Sequence, residues 1–304
     1  MLLGARTRQD VGMMLVYRSG DGLAWDLEGT VTSGEKLGYM WECPDRIELD
    51  GREYVGCCPQ GVGDKPWSDN VGDHSGYLPV PDGQRIAASP VLDADAFVRW
   101  DHGFEFYAPQ TFVDGDGRTT LIGWMDMPED WYVGQPDELD WIHCLTVPRV
   151  LTPCEDGRIA QNPARELEAL RGEKVALGSA GGAAAELPEH RADLVLDGIE
   201  GTLVVRLDDA LEVRCNADGE GCEIAFTDPR VAAGRTSRRC ALEVVRDLRV
   251  LVDSSAVEVY ANGGRMVFST RWFPANEQLS VSVEGDFATS GLYPMASGMP
   301  DRDH

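Results

Sequence analysis

Asp-Gly pairs set between β-rich flanks recur along this chain, and they limit the folds open to it. RIELDGREYVGCC (46–58), TFVDGDGRTTLIGW (111–124) and RVLTPCEDGRIA (149–160) each place glycine close to aspartate between extended-chain formers. Glycine and aspartate accept the left-handed backbone of tight hairpins, and the β-branched and aromatic flanks favour strands. An all-β protein is predicted. One segment reads as helical, NPARELEALRGEK: Asn162 suits an N-cap, Pro163 the first helical position and Gly172 the stop.

Two of the hairpins repeat one another. ECPDRIELDGREYVG begins at Glu42 and YAPQTFVDGDGRTTLIG at Tyr107, an offset of 65 residues. Each opens with a polar or aromatic residue, a small residue, proline and a polar residue. Each then runs strand, Asp-Gly turn, strand, glycine. Repeats of this length built from several strands are the mark of propeller blades, in which equivalent positions converge on one axial pocket. After the low-complexity stretch GSAGGAAAE (178–186) the texture changes. ADLVLDG, GTLVVRLDD, ALEVRC, CEIAFTD, LRVLVDSSAVEVYANGG and RMVFSTRWF alternate apolar with polar residues and read as a β-sandwich.

At 304 residues the chain is long enough for two domains with a core each. The expected organisation is a partial propeller over 1–160, a helical linker over 161–176, a sandwich over 177–297 and a tail over 298–304. The net charge of -25 argues against nucleic acid or an anionic membrane as partner. No apolar run reaches the ~18 residues of a membrane-spanning helix, and MLLGARTRQD is too poor in apolar residues for a secretory signal. A cytoplasmic location follows as an expectation. The eight cysteines have no CxxC spacing, and of the two readings, disulfide pairing or reduced thiols, a large chain without an export signal is expected to keep them reduced. The five histidines form no ligand-like pair, so no metal and no cofactor are expected.

Glu42, in GYMWECPD, raises the chemical question. One reading leaves it facing solvent from a strand end. The other has Trp41 and its neighbours strip water from the carboxyl, so that it holds a proton for delivery to a substrate. Tyr107 and Trp124 sit at strand ends in the second repeat, where aromatic faces can stack on sugar rings or simply fill core.

These stretches resemble glycoside hydrolase family 32, the β-fructofuranosidases, invertases and sucrose-6-phosphate hydrolases. YMWECPD carries that family's Glu-Cys-Pro-Asp motif. PQG (59–61), SGY (75–77), FEFYAPQTF, IGWM, WIHCLTVPR and LRVLVDSSAVEVYANGG match further landmarks in order, over essentially the whole chain. The resemblance implies a five-bladed propeller followed by a sandwich, and retaining hydrolysis of sucrose or short β-fructosides. It implies Glu42 as the acid/base, Cys43 as a neighbour that tunes it, Tyr107 and Trp124 as pocket residues, and Asp45 as an orienting group. For Cys43 a small buried filler, and for Asp45 a surface turn residue, are the competing readings.

The family's nucleophile motif, Asn-Asp-Pro-Asn-Gly, and its fructose-binding Arg-Asp-Pro do not occur in this sequence. Gly4, Ala5 and Arg6 match the family's third-blade landmark, so the chain is expected to hold the later part of blade 3 with blades 4 and 5. Asp126 is the one other pocket-edge carboxylate that the sequence nominates. A chain of this kind is expected to be inactive alone, and to self-associate or take an N-terminal complement through exposed blade faces. The alternative reading is a non-catalytic carbohydrate-binding or accessory protein of the same descent.

Overall fold

The computed structural model of the protein describes residues 1–65, 74–125, 143–177 and 183–298. They divide into two compact units. The first comprises Met1–Asp101, Phe106–Trp124 and Pro148–Ile159, and the second His102–Glu105 with the described parts of Met125–Val147 and Ala160–His304. Strands dominate both, as the hairpin texture predicts. Among the described residues no helix is long and apolar enough to cross a membrane.

In the first unit β1 (Leu2–Arg6), β2 (Gly12–Arg18) and β3 (Asp26–Ser33) form an antiparallel meander, and β4 (Met40–Leu49), β5 (Arg52–Gln60) and β6 (Gly76–Pro79) form a second. The two-residue strands β7 (Val91–Leu92) and β8 (Val98–Arg99) complete the first and second sheets. Next in chain order come β9 (Tyr107–Val113), β10 (Thr119–Met125), β11 (Cys144–Leu145), β12 (Arg149–Pro153) and β13 (Ile159–Pro163), of which β11 and residues 160–163 of β13 belong to the second unit. In this third sheet β10 pairs with both β9 and β12.

The sheets stack face to face. Met14, Val16 and Val31 of the first pack with Trp41, Val55, Cys57 and Leu78 of the second. Ile47, Leu49, Tyr54 and Tyr77 of the second pack with Leu121, Leu151 and Ile159. The first strand of each sheet lies beside the first strand of the next, β1 against β4 and β4 against β9. Gly4 makes the first approach possible: a Cβ there would sit 1.9 Å from the Trp41 carbonyl oxygen.

The turns follow their sequences. Asp50 and Gly51, with φ of 49° and 80°, close the β4–β5 hairpin in two residues, as a primed turn requires. The Asp114–Arg118 and Cys154–Arg158 loops are longer and share one pattern. In each, the first residue's amide donates to the last residue's carbonyl, and Gly117 or Gly157 takes the left-handed position.

The second unit is a β-sandwich. Its chain runs β14 (Ala183–Leu187), β15 (Arg191–Asp197), β16 (Glu200–Leu207), β17 (Leu211–Cys215), β18 (Cys222–Phe226) and β19 (Ser237–Cys240). It continues through β20 (Asp247–Asp253), β21 (Ala256–Ala261), β22 (Met266–Arg271), β23 (Leu279–Asp286) and β24 (Thr289–Pro294). One sheet has the order β14-β23-β16-β17-β18-β19 and the other β22-β21-β20-β15-β24. Leu194, Val205, Val213, Val250, Val259 and Phe268 are among the side chains they bury together.

The helix expected from Asn162 begins later and is tighter. Asn162 and Pro163 end β13, and a 3-10 helix covers Arg165–Leu170 after Ala164. Asn162 donates its side-chain amide to Gly263 O at 2.9 Å, and the Gln161 amide donates to Gly264 O at 3.0 Å. Those bonds hold the chain extended where capping would have begun a helix. In the second unit Asp228 accepts from the Arg230 amide and caps α1 (Pro229–Ala232), with Pro229 at its start.

Candidate active site

Where β4 meets β9, the Tyr107 hydroxyl donates to Glu42 Oε2 at 2.9 Å. The backbone brings them together by the same device used twice. In β4, Glu42 pairs with Cys58 but Asp45 pairs with Gly56, so two residues oppose one. In β9, Tyr107 pairs with Trp124 and Gln110 with Ile122, again with one residue in excess. The residue after each site residue, Cys43 or Ala108, has φ of 46° or 45°. The 65-residue repeat is therefore a repeated β-bulge. A bulge adds one residue and reverses the inside–outside alternation downstream of it.

That reversal decides what each side chain meets. Before the bulge, Trp41 faces the first sheet, fully buried, with its indole N–H donating to Leu37 O at 2.7 Å. After it, Ile47 and Leu49 face the third sheet. Glu42, next to Trp41 on the strand, points to the opposite face. The expectation that Trp41 strips water from Glu42 is corrected on this point, because strand alternation separates the two side chains. The Tyr107 phenol covers the half-buried Glu42 carboxylate.

Asp45 accepts from Thr111 N at 2.8 Å and Thr111 Oγ1 at 2.7 Å. It ties β4 to β9 and is not a surface turn residue. Trp124, opposite Tyr107 in register, shares its side of the sheet. The Cys43 carbonyl accepts from Gln110 Nε2 at 3.4 Å. A hydrogen bond with Cys58 brings the Cys43 thiol from 9.0 down to about 7, against burial and the charge of Glu42. The Cys58 thiol is pushed up by the same bond and by burial, and its sulfur lies 3.5 Å from Ser75 Oγ. All five residues nominated from sequence thus fall within two neighbouring hairpins. Asp126 lies outside the described residues.

Sequence reasoning missed Thr111, Gln110 and Cys58, which hold the two bulges in place. It also gave no role to Arg149 and Asp101, a fully buried pair at 3.1 Å with the Phe106 ring 4.8 Å from the guanidinium. Nothing in a single sequence marks two residues 48 apart as partners. Among the described residues no group of three or more His, Cys, Asp or Glu is arranged to hold a metal ion.

Residues 1–163 match the glycosyl hydrolases family 32 N-terminal domain, and residues 210–296 match that family's C-terminal domain. The chain belongs to glycosyl hydrolase family 32. The sucrose-6-phosphate hydrolase of Salmonella typhimurium is 35% identical, over 97% of this chain and 61% of its own. The sucrose-6-phosphate hydrolase of Staphylococcus xylosus is 34% identical, over 90% of this chain and 57% of its own. The solved structure of sucrose-6-phosphate hydrolase from Lactobacillus gasseri superposes with a TM-score of 0.83 at 25% identity, over 97% of this chain and 63% of that one. This family 32 chain therefore spans about three fifths of the length of the relatives it matches.

Proposed function

We propose that this chain carries the proton-donating half of a retaining β-fructofuranosidase site. Its three stacked sheets are the later part of blade 3, blade 4 and blade 5 of a five-bladed propeller. The propeller portion runs over 1–160, with a linker over 161–176, the sandwich over 177–297 and a tail over 298–304. The observation that carries this reading is the Glu42–Tyr107 hydrogen bond, made where the first strands of two successive sheets converge.

In this mechanism Glu42 protonates the glycosidic oxygen as the leaving sugar departs. A second carboxylate attacks the fructosyl carbon from roughly 5 Å away, giving a covalent intermediate. Glu42 then takes a proton from water, which releases fructose and regenerates the acid. Tyr107 orients the Glu42 carboxylate, Trp124 and Cys43 line the sugar's place, and Asp45 fixes the β4–β9 junction. The motif that would supply the second carboxylate is absent from this sequence, so the chain alone does not turn over sucrose.

An exposed face of the first sheet supports the reading that a complement sits there. Leu3 and Leu27 are 41% and 54% exposed, on the face turned away from Met14, Val16 and Val31. An N-terminal complement, or a second copy, covers that face. The substrate is sucrose, its 6-phosphate or a short β-fructoside. A phosphorylated sugar is retained inside cells, which suits a cytoplasmic site of action.

The experiment mixes the purified chain with an N-terminal segment of a family 32 enzyme chosen to bear the Asn-Asp-Pro-Asn-Gly and Arg-Asp-Pro motifs. Fructose release from sucrose and sucrose 6-phosphate is then measured. The chain alone is expected to be inactive, the mixture active, and the mixture with Glu42→Gln inactive. Robust release by the chain alone, or by the Glu42→Gln mixture, overturns the proposal.

A further inference from the structure

Three cysteines lie in one row across the outer strands of the sandwich. Cys215 at the end of β17 is directly opposite Cys222 at the start of β18, and Cys222 is directly opposite Cys240 at the end of β19. Paired residues share a face, so all three side chains point to the same side of the sheet. Cys215 and Cys222 are 0% and 1% exposed and belong to the core, against which the more accessible Cys240 packs. Cys222 and Cys215 are hydrogen-bonded to one another. The hairpin between them is fixed by Asn216, whose amide bonds to Gly221 O at 2.9 Å and whose side chain bonds Gly201 O, Val245 O and Val245 N.

Directly opposite residues in an antiparallel ladder have Cα atoms ~4.5–5.5 Å apart, inside the ~4.4–6.8 Å range of disulfides. Cys215 and Cys240, two strands apart, are separated by ~10 Å and cannot be bridged. Cys222 is therefore common to every disulfide this row can form.

We propose that the row is a thiol-oxidation site in which Cys222 exchanges between two partners, with Cys240 as the entry point and Cys215–Cys222 as the end state. The oxidant class is a low-molecular-weight disulfide such as oxidised glutathione. The Cys240 thiolate attacks it, forming a mixed disulfide and releasing one reduced glutathione. The Cys222 sulfur then attacks the Cys240 sulfur, giving Cys222–Cys240 and a second reduced glutathione. Attack by Cys215 on Cys222 moves the bridge inward and returns Cys240 to the thiol. In sum, two protein thiols are oxidised and one glutathione disulfide is reduced to two thiols. The hydrogen bond with Cys215, and after it burial, hold the Cys222 thiol well above its ordinary value, and burial of the inner pair shields that bridge from small thiols.

The test oxidises the full chain with glutathione disulfide, blocks residual thiols with N-ethylmaleimide and maps tryptic peptides without reduction. Cleavage after Arg214, Arg230, Arg239 and Arg246 leaves Cys215 and Cys222 in one peptide and Cys240 in another. Early samples are expected to contain the two peptides cross-linked. Late samples are expected to contain the Cys215–Arg230 peptide lighter by two hydrogens, without N-ethylmaleimide. Cys240→Ser is expected to slow that conversion about tenfold or more. A late-stage Cys222 that still takes N-ethylmaleimide, or a Cys215–Cys240 bridge, overturns the proposal. Unchanged oxidation in Cys240→Ser overturns the entry route.

Discussion

Tyr107 and Glu42 stand at equivalent positions of a repeated bulge and are joined by a 2.9 Å hydrogen bond from phenol to carboxylate. The left-handed backbone at Cys43 and Ala108 opens each bulge directly after the site residue and reverses the alternation of the strand beyond it. Two copies of one irregularity thereby converge on one acid.

The phenol's contribution is measurable. In the complemented enzyme, Tyr107→Phe is expected to lower kcat/KM about tenfold, since a hydrogen bond to a charged group is worth about 1.5 kcal/mol or more. Glu42→Gln is expected to cost about 10²–10⁴-fold, the range for a general acid. A Tyr107→Phe enzyme with unaltered kinetics would remove the phenol from the site.

The Cys43 thiol will react early. With its value lowered to about 7, alkylation by iodoacetamide is expected to be half-maximal near that pH. Cys58→Ala removes the hydrogen bond responsible and leaves burial and the Glu42 charge, which both raise the thiol, so the midpoint is expected to move up to at least 9.0. Glu42→Gln removes a charge that opposes the thiolate and is expected to move it down. Peptide mass spectrometry across a pH series reads all three.

Glu53 is expected to make the first unit acid-sensitive. Burial pushes its carboxyl up, but the Ile86 amide and the Arg46 and Arg85 guanidinium groups together outweigh that and hold it below 4.5. A depressed carboxyl contributes stability that is full above its unfolded value and lost as pH falls through the folded one. Glu53→Gln is expected to cost about 2 kcal/mol at pH 7. The gap from the parent should close as pH drops below 4.5. Urea unfolding at several pH values checks this, and a gap that widens on acidification would contradict it.

Gly4→Ala tests the contact between β1 and β4. Its Cβ would meet the Trp41 carbonyl oxygen at 1.9 Å, and backbone cannot yield cheaply. A loss of about 2 kcal/mol is expected, seen as a lower urea midpoint. An unchanged midpoint would mean that β1 does not pack there.

Much of the fold was legible in the sequence because it is local. Asp50-Gly51 closes a two-residue hairpin as its composition demands, and the alternation in LVVRLDD or LRVLVDS is the pleat of a half-buried strand. The Glu42 and Tyr107 repeat was legible too, since both copies place a small residue, Cys43 or Ala108, and then proline after the site residue. The helix start was misread at Asn162 because a good capping residue also makes a good side-chain donor, and Gly263 claimed it.

The sequence by itself determined the strand-rich class, the change of texture near residue 180 and the residue types at the candidate site. Only the tertiary structure decided which way those residues face. One inserted residue in β4 puts Trp41 in the core and Glu42 across from Tyr107, and sets Asp45 against Thr111. The physical reason is that a bulge reverses side-chain parity for everything beyond it. Its position depends on cross-strand pairing with a partner that no local stretch contains.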